Sequence, residues 1–127
     1  MLVVNRQDSG DVSIFRCVGR IVAGEELATL KKAVLCHDTG KTVVLDLSEV
    51  FAMDGAGLGL FAFLAGWTRV VGLTLKVLKP SPRVRQLLEL TNLDSVLDIS
   101  DSENWSEAMV QAHVAAYPEK VAAVAHR

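Results

Sequence analysis

At 127 residues, half of them apolar, with a formal net charge of −2, the chain has material for one globular domain and too little for two. The near-neutral balance gives no electrostatic case for binding nucleic acid. The least charged stretch, Gly55 to Thr68, is 14 residues long and falls short of the roughly 20 that a bilayer span needs, so no direct membrane insertion is expected.

In chain order, Leu2 to Asn5 reads as a first strand. Asp8-Ser9-Gly10-Asp11 carries turn chemistry, and Val12 to Val18 alternates as a second strand, so the two predict a hairpin. A helix is expected from near Gly24, with Glu25 and Glu26 in the first turn, where negative charge is favoured. Leu27, Leu30, Val34 and Leu35 form its inward stripe, and Asp38-Thr39-Gly40 ends it. Thr42 to Leu47 is a β-branched apolar run that suits a strand covered on both faces. Phe51 to Gly57 reads as a connecting turn into a second helix, Leu58 to Val71, closed by Gly72.

Leu73 to Leu78 predicts a further strand. Ser81 with Pro82 behind it suits the start of a third helix, whose stripe is Val84, Leu87, Leu88 and Thr91. Val96 to Ile99 predicts a short last strand. Asp101 or Ser102 is expected to cap a fourth helix with Trp105, Ala108, Met109 and Ala112 along one side. The order β-β-α-β-α-β-α-β-α predicts an α/β domain: a mainly parallel central sheet, a hairpin strand at its edge and about four helices.

Three segments resemble the STAS domain, found in anti-sigma-factor antagonists and sulphate-transporter tails. They are the Gly-Arg-Ile entry to the first helix, the run Val43-Val44-Leu45-Asp46-Leu47-Ser48 with Met53-Asp54-x-x-Gly57-Leu58, and the block from Pro82 to Ile99. They stand in the family's order and span roughly residues 10 to 112, leaving 113–127 as a C-terminal extension of one STAS-like domain covering 1–127. The resemblance implies a non-enzymatic protein-interaction module. It would bind an anti-sigma factor or serine-kinase-like partner and so regulate sigma-dependent transcription. The family's regulated members carry a phosphorylated serine just after the aspartate. Here Gly55 stands in its place, with Ala56 next, so no phosphorylation is expected at that turn.

The expected partner-binding residues are Asp54, Gly55, Ala56, Gly57 and Leu58, with Phe63 and Trp67 on the second helix. Asp54 also reads as an N-cap, and Gly55 also reads as easing a tight turn. At 100° per residue, Leu58, Phe61, Ala62 and Ala65 share one helix face, while Leu60, Phe63, Leu64, Trp67 and Val71 share another. A helix on a sheet needs one stripe. The surplus suggests an exposed patch of Phe63, Trp67 and Val70 that docks a partner or a second copy. The alternative is a C-terminal segment folded over it, with Trp105 or Tyr117 as the cover.

Lys76, Lys79, Arg83 and Arg85 form a positive cluster that reads mainly as a solvated face. Cys36-His37 are adjacent and point about 100° apart on a helix, which is poor nucleophile–base geometry. His113 and His126 have no partners by spacing. Cys17 and Cys36 form no CxxC pattern, so free thiols, no metal and no cofactor are expected. No basic segment leads into an apolar run at the start, and a cytoplasmic protein is expected. The alternative function is an accessory subunit or ligand-binding domain of a transport system.

Overall fold

The protein's computed structural model describes residues 1–36 and 41–101. Strand β1 (Leu2–Ser9) turns at Gly10 into β2 (Val12–Ile21). Helix α1 (Glu25–Leu35), strand β3 (Thr42–Met53), helix α2 (Gly55–Val71), strand β4 (Thr74–Leu78) and helix α3 (Pro82–Leu90) follow. A 3-10 turn (Leu93–Ser95) leads to strand β5 (Asp98–Ser100). The sheet order is β1-β2-β3-β4-β5. β1 pairs antiparallel with β2, and every later pairing is parallel. The expected fourth helix, and the expected end of α1 at Asp38 to Gly40, lie outside the described residues.

Each helix connects neighbouring parallel strands, and all three pack on one face of the sheet. Leu30 and Val34 of α1, Leu60, Phe61 and Leu64 of α2, and Val84 and Leu88 of α3 join one core. The sheet contributes Phe15, Cys17, Val43, Leu45, Leu47, Leu75 and Val77 to it. These positions alternate along each strand, as a pleated sheet covered by helices requires.

Several boundaries differ from expectation: β1 runs on past Asn5 to Ser9, β2 past Val18 to Ile21, and α2 begins at Gly55 rather than Leu58. β3 runs on through Phe51 to Met53, where a connecting turn was expected. β4 pairs only with Thr42–Asp46, so β2 is the one strand that pairs with the later half of β3, across two register shifts. The hydrogen bonding that extends the strand is therefore non-local, and local propensity gives no sign of it. The last strand starts at Asp98 rather than Val96, because Leu93–Ser95 coils first.

Ser81 occupies the N-cap position of α3, but its hydroxyl makes no capping bond. Instead Ser81 Oγ donates to the Val50 carbonyl at 2.6 Å. The start of α3 is thus tied to the part of β3 that β4 does not reach. Ser81→Ala should lower stability by about 1 kcal/mol by leaving that carbonyl without its donor. Urea unfolding checks this, and an unchanged midpoint would mean water replaces the hydroxyl.

Candidate functional site

Asp54 lies at the junction of β3 and α2 and holds two chain segments. Its Oδ1 accepts from the Gly57 N–H at 2.9 Å, the side-chain cap of α2. Its Oδ2 accepts from the Ala23 N–H, also at 2.9 Å, in the loop between β2 and α1. The Asp54 N–H reaches the Ile21 carbonyl at 3.4 Å. The carboxyl is held below its ordinary pKa, first by the Ala23 N–H and then by the Gly57 N–H, which both favour the charged form. The capping expectation is therefore met, and the bond to Ala23 is an addition.

The glycines of this turn are not equivalent. A Cβ on Gly57 would stand 2.4 Å from the Ile21 carbonyl oxygen and 2.8 Å from the Met53 side chain. That close approach lets α2 start against the end of β2. A Cβ on Gly55 would meet nothing within 4 Å, and its φ is not in the left-handed region. Gly55 is exposed. So the backbone does not require glycine at 55, and the reading that it eases a tight turn falls away. Ala56 is exposed beside it, and Leu58 is half-buried against the core.

The rotation of α2 differs from both faces expected for it. Its buried residues are Gly57, Leu60, Phe61, Leu64 and Thr68, one stripe lying between the two. An apolar helix carries no polar face to set its phase; the contact of Gly57 with Ile21 sets it here. Thr68 fits inside because its Oγ1 donates to the Leu64 carbonyl at 2.8 Å. Trp67, expected in an exposed patch, is half-buried and packs against the core. Phe63 is 47% exposed and Val70 86% exposed. The Lys31 ammonium sits 5.5 Å from the centroid of the Phe63 ring. The expected covering residues Trp105 and Tyr117 lie outside the described residues.

One residue at this end of the domain escaped the sequence reading. Phe51 is 64% exposed although it lies within β3, near the register shift between Gly19 and Arg20. Bulges re-aim side chains in this way. Its proximity to Asp54 was the available signal, obscured because the segment read as turn.

Lys76 pairs with Asp98 at 2.7 Å and Arg85 pairs with Asp101, which suits a solvated charged face. Burial, and secondarily the charge of Asp46, push the Cys17 thiol up to about 12, so it stays protonated. Cys36 is exposed at the end of α1, while His37, His113 and His126 lie outside the described residues. Among the described residues no group of three or more His, Cys, Asp or Glu could hold a metal. No described helix is long and apolar enough to cross a membrane.

The profile of the STAS domain matches residues 4–105. The chain belongs to the STAS domain family. Its solved structural neighbours agree. A Thermotoga maritima protein described as a candidate anti-sigma factor antagonist superposes with a TM-score of 0.72 at 26% identity, over 87% of this chain and 94% of that one. An anti-sigma factor antagonist from Mycobacterium paratuberculosis gives 0.67 at 22% identity, over 89% and 95%. SpoIIAA, an anti-sigma factor antagonist, gives 0.65 at 16% identity in its unphosphorylated form, over 80% and 90%. SpoIIAA is also known in a phosphorylated form. Below 25% identity, the Mycobacterium paratuberculosis protein and SpoIIAA show the shared fold alone.

Two measurements test the geometry of the turn. Gly57→Ala should cost about 1–3 kcal/mol in urea unfolding, because the added methyl displaces α2 from Ile21, whereas Gly55→Ala should stay within about 0.5 kcal/mol of wild type. Asp54 has a depressed folded-state pKa, so its contribution to stability is complete above the unfolded pKa of about 3.9 and is lost as pH falls through the lower folded value. Unfolding of Asp54→Asn should lose that part of the acid dependence, which parallel pH titrations of stability would reveal.

Proposed function

We propose that this chain is a non-enzymatic docking module of the anti-sigma-factor-antagonist kind, acting in the cytoplasm on sigma-dependent transcription. Its partner is an anti-sigma factor of the serine-kinase type. The binding surface is the turn Asp54, Gly55, Ala56, Gly57 and Leu58, continued by Phe63 and the edge of Trp67 on α2, with Phe51 as an aromatic anchor beside it. Exposed aromatic side chains next to a rigid turn suit this role, since a few such anchors carry most of an interface's energy. A second copy of the chain could use the same α2 face.

The observation that carries the reading is the pairing of a fixed Asp54 with an unconstrained residue 55. Asp54 is bonded at both oxygens. Residue 55 has open space and an ordinary backbone conformation. A serine would fit there without changing the turn. Its phosphate would add about −1.5 to −2 charges beside the Asp54 carboxylate at pH 7. Glycine accepts no phosphate, so the complex formed by this chain has no charge switch at that point.

A second reading is favoured by one feature, the outer face of α2, where Phe63 and Val70 are exposed and Arg69 is the helix's one charge. That surface also suits an accessory subunit seated on a transport system. Co-purification with a transporter rather than with an anti-sigma factor would select it.

The main reading is tested with the anti-sigma kinase encoded in the same genome. Wild-type protein should bind it and stay bound in ATP. Gly55→Ser should fold, take one phosphate at residue 55 by mass spectrometry, and lose affinity by about tenfold or more in ATP. A serine variant that is neither modified nor released would overturn the assignment to a kinase partner, and release of the wild type in ATP would overturn the absence of a switch.

A further inference from the structure

The sheet ends on β1 at one edge and on β5 at the other. β5 is three residues long, whereas β1 runs for eight and pairs with β2 without a register shift. The Met1 carbonyl accepts from the Arg20 N–H at 3.2 Å. The alternation of an antiparallel ladder then turns the backbone groups of Val3 and Asn5 toward β2, and those of Leu2 and Val4 away from it. Among the described residues no strand pairs with that outer side. β1 has neither a proline nor a bulge to blunt it, and a straight edge of this length is a template for a further strand.

We propose that β1 pairs antiparallel with β1 of a second copy, across a two-fold axis near Val4, so that two five-stranded sheets become one. Two features select a second copy over a strand from another protein. The first is the seat of α1, which packs against both β1 and β2. With α1 centred between those strands, the two copies of α1 stand two strand spacings apart, about 10 Å, the distance at which helices pack. Thr29 flanks Leu2 on that side, and Ala33 lies one turn on; both are short enough for the approach. The second feature is charge. α1 carries Glu25 and Glu26 in its first turn and Lys32 in its last. The two-fold axis lays the helices antiparallel, so the acidic end of each lies toward the basic end of the other and their dipoles oppose. This interface leaves the Asp54 turn uncovered, and the inference does not depend on which partner that turn binds.

Sedimentation equilibrium of the full-length chain tests it. Wild type should be a dimer, and Val4→Pro should raise the dimer dissociation constant about tenfold or more. Proline there removes an N–H that points away from β2, so the pairing of β1 with β2 keeps its bonds. Thr29→Arg sets a further cation on each side of the axis, near Lys32 of the other copy, and should weaken the dimer likewise. It decides the matter where Val4→Pro unfolds the chain. Phe63→Ala, on the rival face of α2, should leave the constant within about twofold. The Val4 amide should exchange with solvent slowly in the dimer and quickly once dilution separates the copies. A wild type still monomeric at about 0.1 mM would overturn the proposal. So would a dimer that Thr29→Arg or a folded Val4→Pro leaves unchanged, or one that Phe63→Ala dissociates.

Discussion

The grip of Asp54 on two backbone N–H groups organises the end of this domain where β2 and β3 meet α1 and α2. One bond caps α2 and the other reaches across to Ala23, after β2. The ends of two adjacent parallel strands, and the starts of the helices that follow them, are thereby fixed by one carboxylate. Both bonds favour the charged form, so the grip is complete at neutral pH. A helix start also gathers unpaired N–H groups and partial positive charge. Asp54 neutralises part of that and leaves Gly55 and Ala56 as a plain surface beside it.

From this junction the rotation of α2 follows. Gly57 lets the first turn of the helix press on the Ile21 carbonyl. With that contact made, Leu60, Phe61, Leu64 and Thr68 must face inward. Phe63 and Val70 must then face outward, whatever their hydrophobicity. The apolar outer face of α2 is therefore not a packing accident. It is the surplus left when a helix apolar nearly all round is held at one angle. Surplus of this kind is costly in water and is commonly retained for contact with something else.

Much of the architecture was readable in the residues. The period-two strands, the acidic start of α1, Gly72 past the end of α2 and Pro82 at the start of α3 each announce an element through local chemistry. The phase of α2 was not readable, because 100° spacing finds an apolar stripe on almost any side of a helix with one charge. Ser81 misled for a related reason. A serine before a proline is a good cap, but the uncovered Val50 carbonyl across the sheet is the stronger claim on its hydroxyl. Phe51 went unnoticed because the later half of β3 forms by pairing with a strand far away in sequence. In the turn itself, Asp54 and Gly57 were legible as residue types. What separated Gly57 from Gly55 was the distance to Ile21, which no spacing rule contains.

That separation bears on how such a turn can change its chemistry. Two constraints act within four positions: a carboxylate that must reach two amides, and a glycine that must clear a carbonyl. Neither falls on residue 55. A Cβ added there would meet no packing neighbour, and its backbone is not in the left-handed region. Exchanging a hydroxymethyl group for a hydrogen there changes neither the cap nor the seat of α2. A turn built this way can gain or lose a modifiable group without disturbing its shape. A domain can then keep the surface that a partner reads while its means of release by charge is removed.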